Sequence, residues 1–167
     1  MKKIFVTLVL LSSLAFANQF GAGNKAIGIT LGSGSVSYSV GPFSSVENYY
    51  ILGVNADFFV AENLSVGLGY RGWFGGDPTI NQGTIPVTYY IPTGSKFRPY
   101  VGAFYRYTYI ADDLYDNYSS AGGRAGLAIT FQNGYVGFGW AQEYYLDSDS
   151  RSETTSGYPE VVIGFSF

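Results

Sequence analysis

Ser119–Leu146 reads SSAGGRAGLAITF, then QNG, then YVGFGWAQEYYL. Apolar residues recur at every second position of the first part. Ala125, Leu127, Ile129 and Phe131 share one side, against Gly122, Arg124, Gly126, Ala128 and Thr130 on the other. After Gln132-Asn133-Gly134 the alternation resumes, with Val136, Phe138, Trp140, Tyr144 and Leu146 opposed to Gly137, Gly139, Ala141 and Glu143. A period of two is the signature of a β-strand, whose side chains alternate between faces. One face is a continuous apolar band, and the other is small, glycine-rich and carries isolated charges.

The same pattern extends in both directions. It predicts eight strands, over Lys25–Val40, Glu47–Val60, Leu64–Gly75, Gly83–Pro92, Arg98–Ile110, Ser119–Phe131, Tyr135–Leu146 and Tyr158–Phe167. In the third, Leu64, Val66, Leu68, Tyr70 and Phe74 oppose Ser65, Gly67, Gly69, Arg71 and Trp73. In the eighth, Val161, Ile163, Phe165 and Phe167 oppose Glu160, Val162, Gly164 and Ser166. The connections alternate in length. Gly41–Val46, Gly76–Gln82, Ala111–Tyr118 and Asp147–Gly157 are long, whereas Ala61–Asn63, Thr93–Lys96 and Gln132–Gly134 are short. Short turns on one rim and long loops on the other are the asymmetry of transmembrane barrels, and an even strand count puts both termini on the short-turn rim.

Composition narrows the function. Only 13% of the 167 residues are charged, against about 25% in average globular chains. With no Cys and no His, thiol nucleophiles, zinc-thiolate sites, imidazole bases and haem ligation by His are excluded. A net charge of -3, with no basic run beyond the first three residues, argues against a nucleic-acid face.

Lys2 and Lys3 precede an apolar run from Ile4 to Leu11, followed by Ala15-Phe16-Ala17. This is a basic segment, a short apolar segment and a small-residue cleavage site, so residues 1–17 are expected to be a removed secretory signal and 18–167 the barrel domain. The run is shorter than the roughly 20 apolar residues of a membrane-spanning helix.

An alternating sheet can close with its apolar face inward, as a soluble periplasmic ligand-binding calyx, or outward into lipid. Charge density favours lipid. The small-residue face carries roughly one charge per strand, whereas water-facing surfaces of designed domains carry about 25–35% charged residues. The expected fold is an all-β, eight-stranded antiparallel up-and-down transmembrane β-barrel. By strand parity Asp57, Arg71, Arg106, Arg124, Glu143 and Glu160 fall inside it, as a salt-bridged charge network filling the lumen.

The terminal run Val161-Val162-Ile163-Gly164-Phe165-Ser166-Phe167 resembles the sorting signal that outer-membrane barrels present to their assembly machinery, with Phe165 and Phe167 as its aromatic positions. Together with the signal sequence and strand pattern, nearly the whole mature chain looks like the small OmpA/OmpX-type outer-membrane barrels. OmpW-like barrels are the alternative family. The resemblance implies a location in the Gram-negative cell outer membrane, contact with outer-membrane lipid and lipopolysaccharide, and assembly through the carboxy-terminal strand. It implies a structural or adhesin-like surface role through the loops, with an extracellular partner there. A narrow pore or transporter for small or hydrophobic solutes is the second reading. The family's enzymatic members are understood to use a catalytic His, which this chain lacks, so no enzyme and no cofactor are expected. No peptidoglycan-binding domain follows Phe167, so the anchoring role of full-length OmpA-type proteins is not expected.

Three further features of the sequence bear on function. Gly67-Leu68-Gly69-Tyr70-Arg71-Gly72 matches a dinucleotide fingerprint, but that motif works at a strand-to-helix turn and here lies within a strand. Tyr49, Tyr50, Tyr89, Tyr90, Tyr100, Tyr105, Tyr107, Tyr109, Tyr144, Tyr145 and Tyr158 lie near strand ends and are expected to form aromatic girdles at the membrane surfaces. The loop acids Asp77, Asp112, Asp113, Asp116, Asp147, Asp149 and Glu153 match no calcium-loop spacing, so no metal site is expected.

Overall fold

The computed structural model describes residues 19–40, 43–111, 116–146 and 155–167, with side chains outside 35–45. The expected signal sequence and the loop residues Asp112, Asp113, Asp147, Asp149, Arg151 and Glu153 lie outside the described residues. Eight antiparallel strands close into one barrel in sequence order. They are β1 (Lys25–Val40), β2 (Phe43–Ala61), β3 (Leu64–Phe74), β4 (Ile80–Tyr90), β5 (Phe97–Ile110), β6 (Tyr118–Phe131), β7 (Gly134–Tyr145) and β8 (Thr155–Ser166). Closure is made by β1 against β8, from Ala26↔Ser166 to Leu31↔Val161. In lipid no water is available to satisfy an open sheet edge, so only closure pairs every strand.

The faces follow the sequence parity. Leu68, Val54, Leu52, Val101, Phe138 and Trp140 are exposed on the outside. Arg106, Thr108, Gln82, Ser120 and Glu143 are buried inside. The barrel is thus apolar outside and polar within, the inverse of a water-soluble one, and the calyx reading fails on this point. The burial of β4 alternates without a break, buried at Ile80, Gln82, Thr84, Pro86, Thr88 and Tyr90.

Several boundaries differ from the sequence reading. The first predicted loop, Gly41–Val46, shrinks to the two residues between Val40 and Phe43, which pair with each other. Main-chain ladder bonds are indifferent to side-chain polarity once a hairpin extends past the apolar band, so polar Ser44 and Ser45 continue the strand. On the other rim the turn expected at Thr93–Lys96 runs from the end of β4 at Tyr90 to the start of β5 at Phe97. The strict alternation of short and long connections therefore does not hold. Glu62 and Asn63 do form a tight turn, with Asn63 at a φ of 62°. Near it, the β2–β3 register shifts between Phe59 and Ala61.

Candidate functional site

The lumen is filled by side chains from every strand, and its ionic groups gather at two levels. At the upper level, toward the loop rim, Arg106 of β5 is fully buried (0% exposed). It forms an ion pair with Glu143 of β7. Its Nε donates to Thr84 Oγ1 at 3.0 Å and its Nη1 to the Tyr158 hydroxyl at 2.7 Å. The guanidinium lies 4.5 Å from the centroid of the Phe104 ring. Ser120 donates to the other oxygen of Glu143. Arg71 of β3 reaches the same Tyr158 hydroxyl, at 3.0 Å. Beside them, Trp73 Nε1 donates to Gln82 Oε1 at 2.9 Å, and Gln82 donates to Thr108 at 3.2 Å. Charge-assisted bonds of this kind are the strong ones, because each desolvated charge keeps partners of opposite polarity.

At the lower level Arg124 of β6 pairs with Glu160 of β8, Nε to Oε1, at 2.9 Å. Tyr100 also donates to that oxygen, at 3.2 Å, and Arg124 lies 5.2 Å from the Tyr100 ring centroid. Asp57 of β2 accepts a hydrogen bond from Asn55. Between the levels is a cavity of about 30 Å³, bordered by Asn55, Asp57, Arg71, Thr84, Arg124 and Glu160. A water needs at least about 10–15 Å³ of such space, so the cavity is the size of one or two waters.

Glycines give these side chains their seats. A methyl group at Gly126 would lie 2.6 Å from the Tyr100 ring, and one at Gly164 would lie 2.5 Å from the Tyr135 ring. A methyl group at Gly67 would collide with the Asp57 carboxylate. The Gly67–Gly72 motif thus lies in β3, with Gly67 and Gly69 against lumen groups and Leu68 and Tyr70 exposed outside, and with no helix to receive a phosphate.

All six predicted lumen residues project inward. The structure joins Arg106 to Glu143 and Arg124 to Glu160, whereas Arg71 bonds Tyr158 and Asp57 bonds Asn55. The tyrosine girdle needs correction. Tyr50, Tyr89, Tyr105, Tyr107, Tyr109 and Tyr144 face outward, but Tyr49, Tyr90, Tyr100 and Tyr158 are buried in the lumen. Tyr145, only part-exposed, packs edge-on against Tyr118 at 5.3 Å. Density near strand ends does not distinguish the two groups, but parity does, since Tyr49 and Tyr50 are neighbours on opposite faces. Lumen partners that the sequence reading passed over include Thr84, Ser120 and Arg98, all of inward parity.

Phe165 is half exposed on the outer surface, 6.4 Å edge-on from Phe131. Phe167 is also exposed, and its main chain exchanges hydrogen bonds of 2.9 and 3.1 Å with Lys25. Among the described residues no group of three carboxylates gathers as a metal site.

No family model matches the chain. Outer membrane protein W of Escherichia coli (strain K12) is 32% identical, over 82% of this chain and 74% of that protein. The protein of the same name in Shigella flexneri gives the same values. Among solved structures, the N-terminal β-barrel domain of Pseudomonas aeruginosa OprF aligns with a TM-score of 0.68 and 18% identity, covering 88% of this chain and 99% of that one. Neisserial surface protein A aligns with a TM-score of 0.64 and 13% identity, covering 87% and 98%. These two structural likenesses concern the fold.

Proposed function

The chain belongs to the outer membrane protein W family, and from that premise we propose that it is a non-enzymatic outer-membrane barrel, closed to solute flow, acting through its rigid frame and loops. The observation that supports this reading is the side-chain filling of the lumen: among the described residues the Arg106–Glu143 and Arg124–Glu160 pairs cross it, and the cavity bordered by Arg71, Arg124 and Glu160 is about 30 Å³. A barrel of eight strands has an interior that side chains just fill.

In this reading the rim bearing Lys25 and Phe167 faces the periplasm and the opposite rim faces outward. Residues 1–17 direct export and are removed, and Phe165 and Phe167 present the last strand to the assembly machinery. The outer band contacts membrane lipid and lipopolysaccharide, and the far loops meet an extracellular partner, because loops on a rigid scaffold are the usual carriers of recognition.

Planar-bilayer recording tests the closed lumen. Purified protein is expected to show no steady conductance. Reproducible single-channel steps, altered in size by Arg124→Ala without loss of stability, would replace this reading with the narrow pore.

A further inference from the structure

The barrel mouth at the terminal rim is closed by residues that precede β1. Phe20 is 1% exposed. Its ring centroid lies 4.5 Å from that of Tyr90, 5.6 Å from that of Phe59 and 5.7 Å from that of Tyr135. The Arg98 guanidinium lies 5.5 Å from the same centroid. Three aromatic walls and a cation over the ring face form a pocket matched to the quadrupole of one aromatic side chain.

The main chain of this segment is tied to one hairpin. Gly23 N donates to Phe59 O at 2.8 Å, Phe59 N to Asn24 O at 2.9 Å and Asn63 N to Phe20 O at 2.7 Å. Ala22 N donates to Glu62 at 3.2 Å. These anchors all lie on β2 and the β2–β3 turn, whereas the Phe20 ring reaches across to β4, β5 and β7. Gly23, at a φ of 89°, makes the turn that sends the chain back over the mouth. Just inside, Tyr90 and Tyr135 join hydroxyl to hydroxyl at 3.0 Å and border the polar cavity.

We propose that Phe59, Tyr90, Tyr135 and Arg98 form a receptor site for an aromatic side chain, occupied by the chain's own Phe20, so that residues 19–24 are a removable stopper separating the lower lumen from the bulk. A segment whose main chain is tied to one hairpin, with one side-chain bond to β8 from Ser166 Oγ to Gln19 Oε1 at 3.3 Å, and plugged by one ring leaves by breaking a few contacts while the barrel ladder stays intact. The upper level around Arg71, Arg106 and Glu143 stays closed when the stopper leaves, so the inference stands apart from the conductance test.

The chain has no Cys, which permits a single reporter. Ser65 is 1% exposed and sits opposite Phe59 in the β2–β3 register. Ser65→Cys is introduced alone and with Phe20→Gly, and its reaction with a small methanethiosulfonate is timed in detergent on protein that retains the folded band on an unheated gel. Phe20→Gly is expected to speed labelling about tenfold or more, as for a site that no longer needs a local opening to react. Excess N-acetylphenylalanine amide should slow it again by refilling the pocket, and Phe20→Tyr should retain protection. An unchanged rate with Phe20→Gly, a rise that the aromatic amide does not reverse, or failure of Phe20→Gly to give the folded band would each overturn the proposal.

Discussion

Arg71 and Arg106 point at the same oxygen. Each donates to the Tyr158 hydroxyl, at 3.0 and 2.7 Å, so one phenol holds two like charges near each other in the lumen. Glu143 offsets the charge of Arg106, and Tyr158 fixes where Arg71 lies relative to it.

Tyr158→Phe removes only that shared acceptor. A hydrogen bond to a charged group contributes about 1.5–3 kcal/mol, and water admitted to the lumen by the variant would replace part of what is lost. A loss of about 2–3 kcal/mol is expected in urea-dependent folding into lipid vesicles. Tyr144→Phe, on the outer face, should change stability by less than about 0.5 kcal/mol. Equal effects of the two would mean that the Tyr158 hydroxyl does not organise the arginines.

Arg106→Met leaves Glu143 buried without its cation, a defect that costs about 3–5 kcal/mol in buried pairs. The double variant Arg106→Met/Glu143→Leu should recover much of that loss, because no charge is then stranded. A double-mutant cycle in vesicles reads the coupling, and strictly additive losses would show that the two side chains act independently.

Glycine positions separate seats from open surface. Gly126→Ala drives a methyl group into the main-chain oxygen of Phe138 and to 2.6 Å from the Tyr100 ring, and such overpacking costs about 1–3 kcal/mol. A methyl group at Gly83 meets nothing within 4 Å, so Gly83→Ala is expected to be neutral or slightly stabilising. The reverse ranking in equilibrium unfolding would mean that both the Phe138 main chain and the Tyr100 ring give way.

Leu127 faces outward, opposite Phe138 in the β6–β7 register. Leu127→Arg should cost about 2–4 kcal/mol if this position sits near the bilayer midplane, with a smaller penalty in detergent micelles that let the side chain reach water. An equal, small effect in both would place Leu127 away from the acyl chains.

Phe167 contributes its main chain to the pairing with Lys25 while its ring stays exposed. Phe167→Ala keeps those main-chain bonds. It should leave refolding in detergent intact and lower the amount of folded barrel recovered from cells. Equal losses in both assays would make Phe167 an ordinary packing residue.

The alternation around Leu127 and Phe138 sufficed to assign faces, because strand side chains change sides at every residue and an apolar band requires an apolar medium. Parity by itself places Arg106 and Glu143 inside the barrel. It also contained the answer for Tyr49 and Tyr90, whose parity points inward, although their place near strand ends suggested a girdle. Parity cannot choose partners. Arg106 and Glu143 are 37 residues apart, and Arg71 and Tyr158 are 87 apart. A strand that slips by two residues keeps every side chain on its face yet meets a different neighbour. Only register, strand tilt and the closure of β1 on β8 decided which charges meet, which glycines seat which rings, and that Phe20, ahead of the first strand, folds back into the mouth.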